Sequence, residues 1–189
     1  IEEANQVAVQ LARKAVHGTN ALVAGSMSNH PPAITASHRG VKLDYETKSG
    51  SKSSSCCSKK MPTPTEAGQW PSAEVELENY REQARALADA GVDLLFLEMV
   101  KDKTHGDLIV EAASEVGIPV VIGLTLGLSD SGRAHARDDN AFYIEEIVER
   151  WGNRPNIVGF GAMHCPANET ETFVKQIRST AGERAFITA

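Results

Sequence analysis

The stretch "FGAMHCPANETETF", residues 160–173, sets His164 and Cys165 where an apolar run gives way to a proline and an acidic, helix-like segment. A thiol at such a point serves as a small buried hydrophobe, a metal ligand or a nucleophile. One cysteine does not complete a zinc site, which takes three or four ligands. If the strand persists through His164, its side chain and that of Cys165 point to opposite faces, so His164 suits a hydrogen-bonding role at the rim better than a shared metal. Glu98 comes directly off the apolar run "LLFL". An ionised carboxylate is rarely set beside a core without a partner, and a ligand ammonium is a suitable one; the plain alternative is a side chain that turns into solvent as the strand exits. Gly25 with Ser26, and Thr125, end two further apolar runs. Cys56 and Cys57 stand in "SSSCCSKK", without the ordered surroundings that a metal site needs. His30, in "NHPP", either lines a site or belongs to a turn. Asn168-Glu169-Thr170 fits a glycosylation sequon, but a helix cap accounts for the Asn.

The elements that must position these groups alternate between helix and strand. Val7, Leu11 and Val16 form a helical stripe in the first segment, and "ALVAGS" (21–26) reads as a buried strand. Leu77, Tyr80, Ala84, Leu87 and Ala88 predict a helix that stops at Gly91, followed by the strand "VDLLFLEMV". "DLIVEAASEVG" is a helix closed by Gly117, and "PVVIGLT" a strand. Asp138 or Asp139 caps a helix whose apolar face is Ala141, Ile144, Ile147, Val148 and Trp151. The strand "NIVGFGA" comes next, and Asn168 with Glu171 forms a capping box for the helix that carries Phe173, Val174 and Ile177. "AFITA" is a last strand. Of five helix-strand units, the last four strands recur at roughly the 30-residue spacing of a (β/α)8 barrel, which five strands cannot close. A doubly wound sheet is the rival, weakened because no Gly-rich phosphate loop follows any strand. Residues 46–72 are rich in Ser, Lys, Pro and Thr and read as a disordered insertion in one domain spanning 1–189.

Bulk properties narrow the partners. With 189 residues, 41% hydrophobic and 23% charged, the chain has the composition of a soluble domain with a sizeable core. A net charge of -6 disfavours nucleic acid. No apolar run is long enough to span a bilayer, and the first residues lack the organisation of a signal peptide. Three cysteines are too few for a disulfide framework, and the expected compartment is the cytoplasm.

The stretches "VAGSMSNHPP", "NYREQARALADAGVDLLFLEMV", "GIPVVIGLT" and "NIVGFGAMHCPANETETFVKQIR" together resemble the zinc-dependent homocysteine S-methyltransferase family, of the betaine-homocysteine methyltransferase kind. The likeness covers most of the chain outside 46–72. It implies a TIM barrel, incomplete in this chain, that transfers a methyl group from a sulfonium or ammonium donor to the thiol of homocysteine, giving methionine. In the family a Gly-x-Asn-Cys stretch supplies the first zinc thiolate. Cys165 matches its cysteine, and His164 stands where the family has Asn. Glu98 matches a strand-end Glu that binds the homocysteine amino group, and Gly25 and Ser26 match a Gly-Ser turn beside the pocket. The resemblance places the other two zinc thiolates in a Gly-Gly-Cys-Cys stretch near the C-terminus of family members, which is not in these residues, and Cys56 and Cys57 are in the wrong place to substitute. The isolated chain is therefore expected to bind Zn2+ weakly and to be inactive alone.

Two other readings fit the same elements. One is a barrel lyase or aldolase that uses Glu98 as base with a different metal. The other is a non-catalytic barrel that binds a small ligand.

Overall fold

Each predicted helix places one apolar stripe against a sheet, and the packing of those stripes sets the architecture. The computed structural model describes residues 2–29, 71–182 and 186–188. His30, Cys56, Cys57 and residues 46–70 of the expected insertion lie outside the described residues. Residues 1–29 and 73–189 form one unit.

Helix α1 (Glu2–Ala15) has Glu2 and Glu3 in its first turn and Arg13 and Lys14 in its last, both favourable to the helix dipole. Its buried face is Val9 with Ala12 and Val16, while Val7 and Leu11 are exposed. The helical period was legible, but the stripe is rotated from the expected one. Arg13 sets that rotation by reaching both Asp93 carboxylate oxygens, at 2.8 and 2.7 Å, and the Gly91 carbonyl at 2.6 Å. Strand β1 (Ala24–Ser28) begins later than expected. Helix α2 (Ala73–Asp89) buries Tyr80, Ala84 and Leu87, and Gly91 ends it at φ 86°. Strand β2 (Leu94–Val100) leads to α3 (Lys103–Glu115), capped by the Asp102 carboxylate, which accepts from the His105 N–H at 2.8 Å. Strand β3 (Val120–Leu124) is buried throughout.

Three short antiparallel strands follow that local periodicity did not reveal: β4 (Leu126–Leu128), β5 (Ala134–Ala136) and β6 (Asp139–Tyr143). Strands of three residues persist through cross-strand pairing, which leaves little local signal. Asp138 and Asp139 are therefore not the helix cap. Helix α4 (Ile144–Gly152) starts after Tyr143, which makes no side-chain cap bond, and Ala141 lies in β6. Asp138 instead pairs with Lys101 at 2.7 Å, tying the β5–β6 turn to the end of β2. After β7 (Ile157–Ala162), helix α5 (Thr170–Ala181) buries Phe173 and Ile177. Its N-cap is Glu169 without a side-chain cap bond, so the Asn168 capping box does not form. Strand β8 is Phe186–Thr188.

The main sheet is parallel, in the order β1-β2-β3-β7-β8, which follows chain order without reversal. Right-handed crossovers that always step the same way place every helix on one face. The side chains agree. Met27, Leu95, Leu97, Ile122 and Leu124 face the helices and are fully buried. Ser26 and Ser28 on the other face are exposed, and their register partners Phe96 and Glu98 are half-buried. A doubly wound sheet would carry helices on both faces. Neighbouring helices are tied together: Arg81 bonds Glu111 and Glu115 on α3, and Arg150 and the Trp151 indole N–H both bond Asp107. The Trp151 ring fills the space beside Gly106, where a Cβ would lie 2.6 Å from it, so only glycine allows this approach of α4 to α3.

Candidate functional site

Helices on one face leave the C-terminal strand ends as the place where polar groups gather. Three main-chain bonds hold these ends in step: Asn29 N–H to Glu98 O (2.8 Å), Thr125 N–H to Val100 O (2.9 Å) and Met163 N–H to Leu124 O (2.9 Å). The β2–β3 register slips between Leu97 and Val100, a bulge that contains Glu98 and Met99. Met99 (φ 60°) and His164 (φ 51°) adopt the left-handed region, which side chains larger than glycine rarely enter. The Met99 N–H freed from the ladder donates to the Met163 thioether at 3.2 Å. That sulfur sits where a Cβ on Gly123 would be, so Gly123 is the opening that lets the β7 end reach across to the β2 bulge.

The expected site residues divide. Glu98 is half-buried on the helix-free face and has no side-chain partner among the described residues. Cys165 is half-buried; its thiol accepts from the Leu126 N–H at 3.4 Å and donates to the Met163 carbonyl at 3.2 Å. Burial pushes the thiol up from its ordinary pKa, and a nearby Glu169 charge adds to this. The Leu126 N–H, the Arg137 charge and the Met163 contact act the other way without prevailing. The group is thus a neutral thiol without added positive charge. Glu98 lies at the C-terminal end of β2, and Cys165 follows the C-terminal end of β7, two places along the sheet, with its thiol against Leu126 just past β3. His164 is exposed at the rim. Ser26 lies on the helix-free face but mid-strand. Gly25 turns its open side toward α2, where a Cβ would meet Leu87 at 3.2 Å, so close strand-helix packing explains this glycine.

Thr125, read as a strand end, and several groups that the sequence did not single out complete these ends. The Thr125 hydroxyl is buried and lacks a hydrogen-bond partner among the described residues, as does the Asn29 side-chain N–H. Asn29 accepts from the Tyr80 hydroxyl at 3.5 Å on the helix side. Glu76, in the first turn of α2, is buried against His105 of α3, whose Nδ1 lies 2.8 Å from its carboxylate. Burial, then Glu76, raises the Tyr80 pKa. Burial likewise pushes the Asp102 carboxyl up, partly offset by the bond from His105 N–H.

His105 gives a pH-dependent stability. Burial lowers its pKa, but the bond to Glu76 and the charges of Asp102 and Glu76 outweigh that and the opposing Lys101, so the net shift is upward. A group raised in the folded state stabilises fully below its unfolded value, about 6.5, and loses that contribution as pH climbs through the raised value. Urea midpoints measured from about pH 6 to about pH 9 should fall, and less steeply in His105→Gln. Equal slopes in the two proteins would remove the pair from the account.

The described residues offer a metal one thiol, that of Cys165. No group of three His, Cys, Asp or Glu side chains that could hold an ion occurs among them, so these residues do not by themselves complete a metal site. No helix among the described residues is long and apolar enough to cross a membrane.

Comparison with known proteins bears on this geometry. The chain is similar to crystal structures of the homocysteine methyltransferase MmuM from Escherichia coli. The apo form superposes with a TM-score of 0.62 at 20% identity, covering 95% of this chain and 55% of that one. The metallated form gives 0.62 at 22%, with the same coverage, and the oxidized form 0.59 at 19%, covering 95% and 54%. At such identities the likeness establishes a shared fold, and this chain spans about half the length of those structures. No curated protein sequence matches significantly. The family model described as homocysteine S-methyltransferase matches residues 1–188, a span that takes in every strand end described above. The chain belongs to the homocysteine S-methyltransferase family.

Proposed function

We infer that the chain is part of a (β/α)8 barrel that binds homocysteine and methylates its thiol, with Glu98 receiving the substrate ammonium and Cys165 serving as one of the zinc thiolates. The observation that carries this reading is the presence, at one end of one sheet, of a carboxylate without a side-chain partner among the described residues and of a thiol just past the end of β7. Homocysteine would bridge the two groups, its ammonium hydrogen-bonded to Glu98 and its sulfur on a metal that Cys165 also holds. The helix-free face of the sheet becomes the barrel interior, and its singly wound order is the order a barrel uses. A metal held by Cys165 and by ligands outside the described residues would supply the positive charge that keeps a substrate thiol ionised at neutral pH.

In the transfer, the homocysteine sulfur forms a bond to the methyl carbon as the bond from that carbon to the donor sulfonium sulfur, or ammonium nitrogen, breaks. The donor leaves as a neutral thioether or tertiary amine, and the thiol proton passes to solvent. Glu98 holds the amino group and takes no proton. The test measures methionine formation by the protein carrying this chain, from homocysteine with S-methylmethionine or with betaine, alongside its zinc content. Methionine from one donor, lost on chelation, supports the reading. Zinc-free protein, or no methionine from either donor class, overturns it.

A further inference from the structure

Strand β2 takes an extra residue where Glu98 leaves it. Leu97 pairs with Ile122 and Val100 with Leu124, three steps on β2 against two on β3. Leu97 and Val100 are both buried, and Val100 packs beside Gly106 of α3. Glu98 and Met99, the residues between them, are half-buried. A regular strand would turn Met99 toward the helices and Val100 to the opposite face. The bulge thus decides how the chain leaves Glu98, and with it the direction of that carboxylate.

The bulge depends on the left-handed backbone of Met99, φ 60°, which lasts only where neighbours fix it. Main-chain bonds fix its flanks: Asn29 N–H to Glu98 O at 2.8 Å, and Thr125 N–H to Val100 O at 2.9 Å. The middle is fixed by a side chain, because the Met99 N–H donates to the Met163 thioether at 3.2 Å. Met163 follows β7, on the other side of β3 from β2. Its own N–H is anchored on Leu124 O at 2.9 Å, and its sulfur crosses Gly123 where a Cβ would stand. Leucine would serve for packing alone, whereas the thioether also accepts a hydrogen bond.

We propose that Met163 acts through Glu98 as a positioning residue, its thioether holding the bulge that aims the carboxylate at the substrate ammonium. This rests on the homocysteine reading and adds to it a residue from the β7 end that governs the ammonium-binding group on β2. Loss of the acceptor frees the Met99 N–H and relaxes the left-handed backbone. Glu98 then keeps its charge and loses its direction.

The experiment uses the zinc-containing protein carrying this chain and two thiols, homocysteine and 4-mercaptobutanoate, which is homocysteine without its ammonium. Met163→Leu keeps the bulk and removes the acceptor. It should raise the KM for homocysteine about tenfold with little change in kcat or zinc content, and leave the Kd of 4-mercaptobutanoate unchanged. In a Glu98→Gln background the same substitution should raise KM no further, because its effect passes through that carboxylate. Gly123→Ala leaves Met163 in place and displaces its sulfur from Met99. It should show the same selectivity, and it carries the test if Met163→Leu fails to fold. An unchanged KM in both variants, both thiols weakened alike, or a full further loss on top of Glu98→Gln overturns the proposal. Failure of the parent to bind homocysteine, or an ordinary KM in Glu98→Gln alone, overturns the reading on which the proposal stands, and is seen without any change at Met163.

Discussion

Cys165→Ser is expected to lower methionine formation by at least about a hundredfold and to strip the protein of zinc. Losing an outer partner of a metal ligand already costs about 10- to 100-fold, and losing a ligand exceeds that. The substitution is chosen because serine keeps the local contacts. A hydroxyl can still donate to the Met163 carbonyl and accept from the Leu126 N–H, the two bonds the thiol makes. The fold should therefore persist, and circular dichroism and the urea midpoint should match the parent within about 1 kcal/mol. What serine removes is the soft donor, because an alkoxide does not form at neutral pH as a metal-bound thiolate does. Full zinc occupancy and unchanged turnover in the variant would return Cys165 to the role of a small buried hydrophobe.

Glu98→Gln should raise the KM for homocysteine about 10- to 100-fold with a smaller change in kcat. A charge-assisted hydrogen bond to an ammonium is worth about 1.5–3 kcal/mol, and glutamine retains the shape while removing the charge. Because the amino group is held equally before and during methyl transfer, the loss should fall on KM. Stability should not fall, since the carboxylate has no side-chain partner among the described residues. An unchanged KM would show a carboxylate turned to solvent. A loss confined to kcat would favour a base, as the lyase reading requires.

Glu98 and Cys165 were both legible as strand-end groups because each follows an apolar run, and a run of buried strand residues is a strong local signal. Thr125 was legible in the same way, but nothing in the chain announced that its hydroxyl would have no partner among the described residues. That depends on what the neighbouring segments bring, here a main chain satisfied by Val100 and Arg137 from distant positions. Met163 filling the Gly123 gap and the Glu76–His105 contact across two helix starts are of the same kind, joining residues 40 and 29 positions apart in sequence. The meander β4–β6 escaped because its strands are too short for a period, and its presence moved the start of α4 to Ile144 and gave Asp138 to Lys101.

By itself the sequence determined the alternation of helix and strand, the glycine stops at Gly91 and Gly117, the parallel α/β class and the two residues around which the site is read. These follow from periodicity and backbone preference, which act within a few residues. Tertiary structure alone decided which face of α1 is buried, that every helix lies on one side of the sheet, that β2 bulges at Glu98, and that Cys165 is held beside Leu126. Each is a contact between segments far apart in the chain, whose energy depends on packing and hydrogen-bond satisfaction in three dimensions and leaves no local pattern to read.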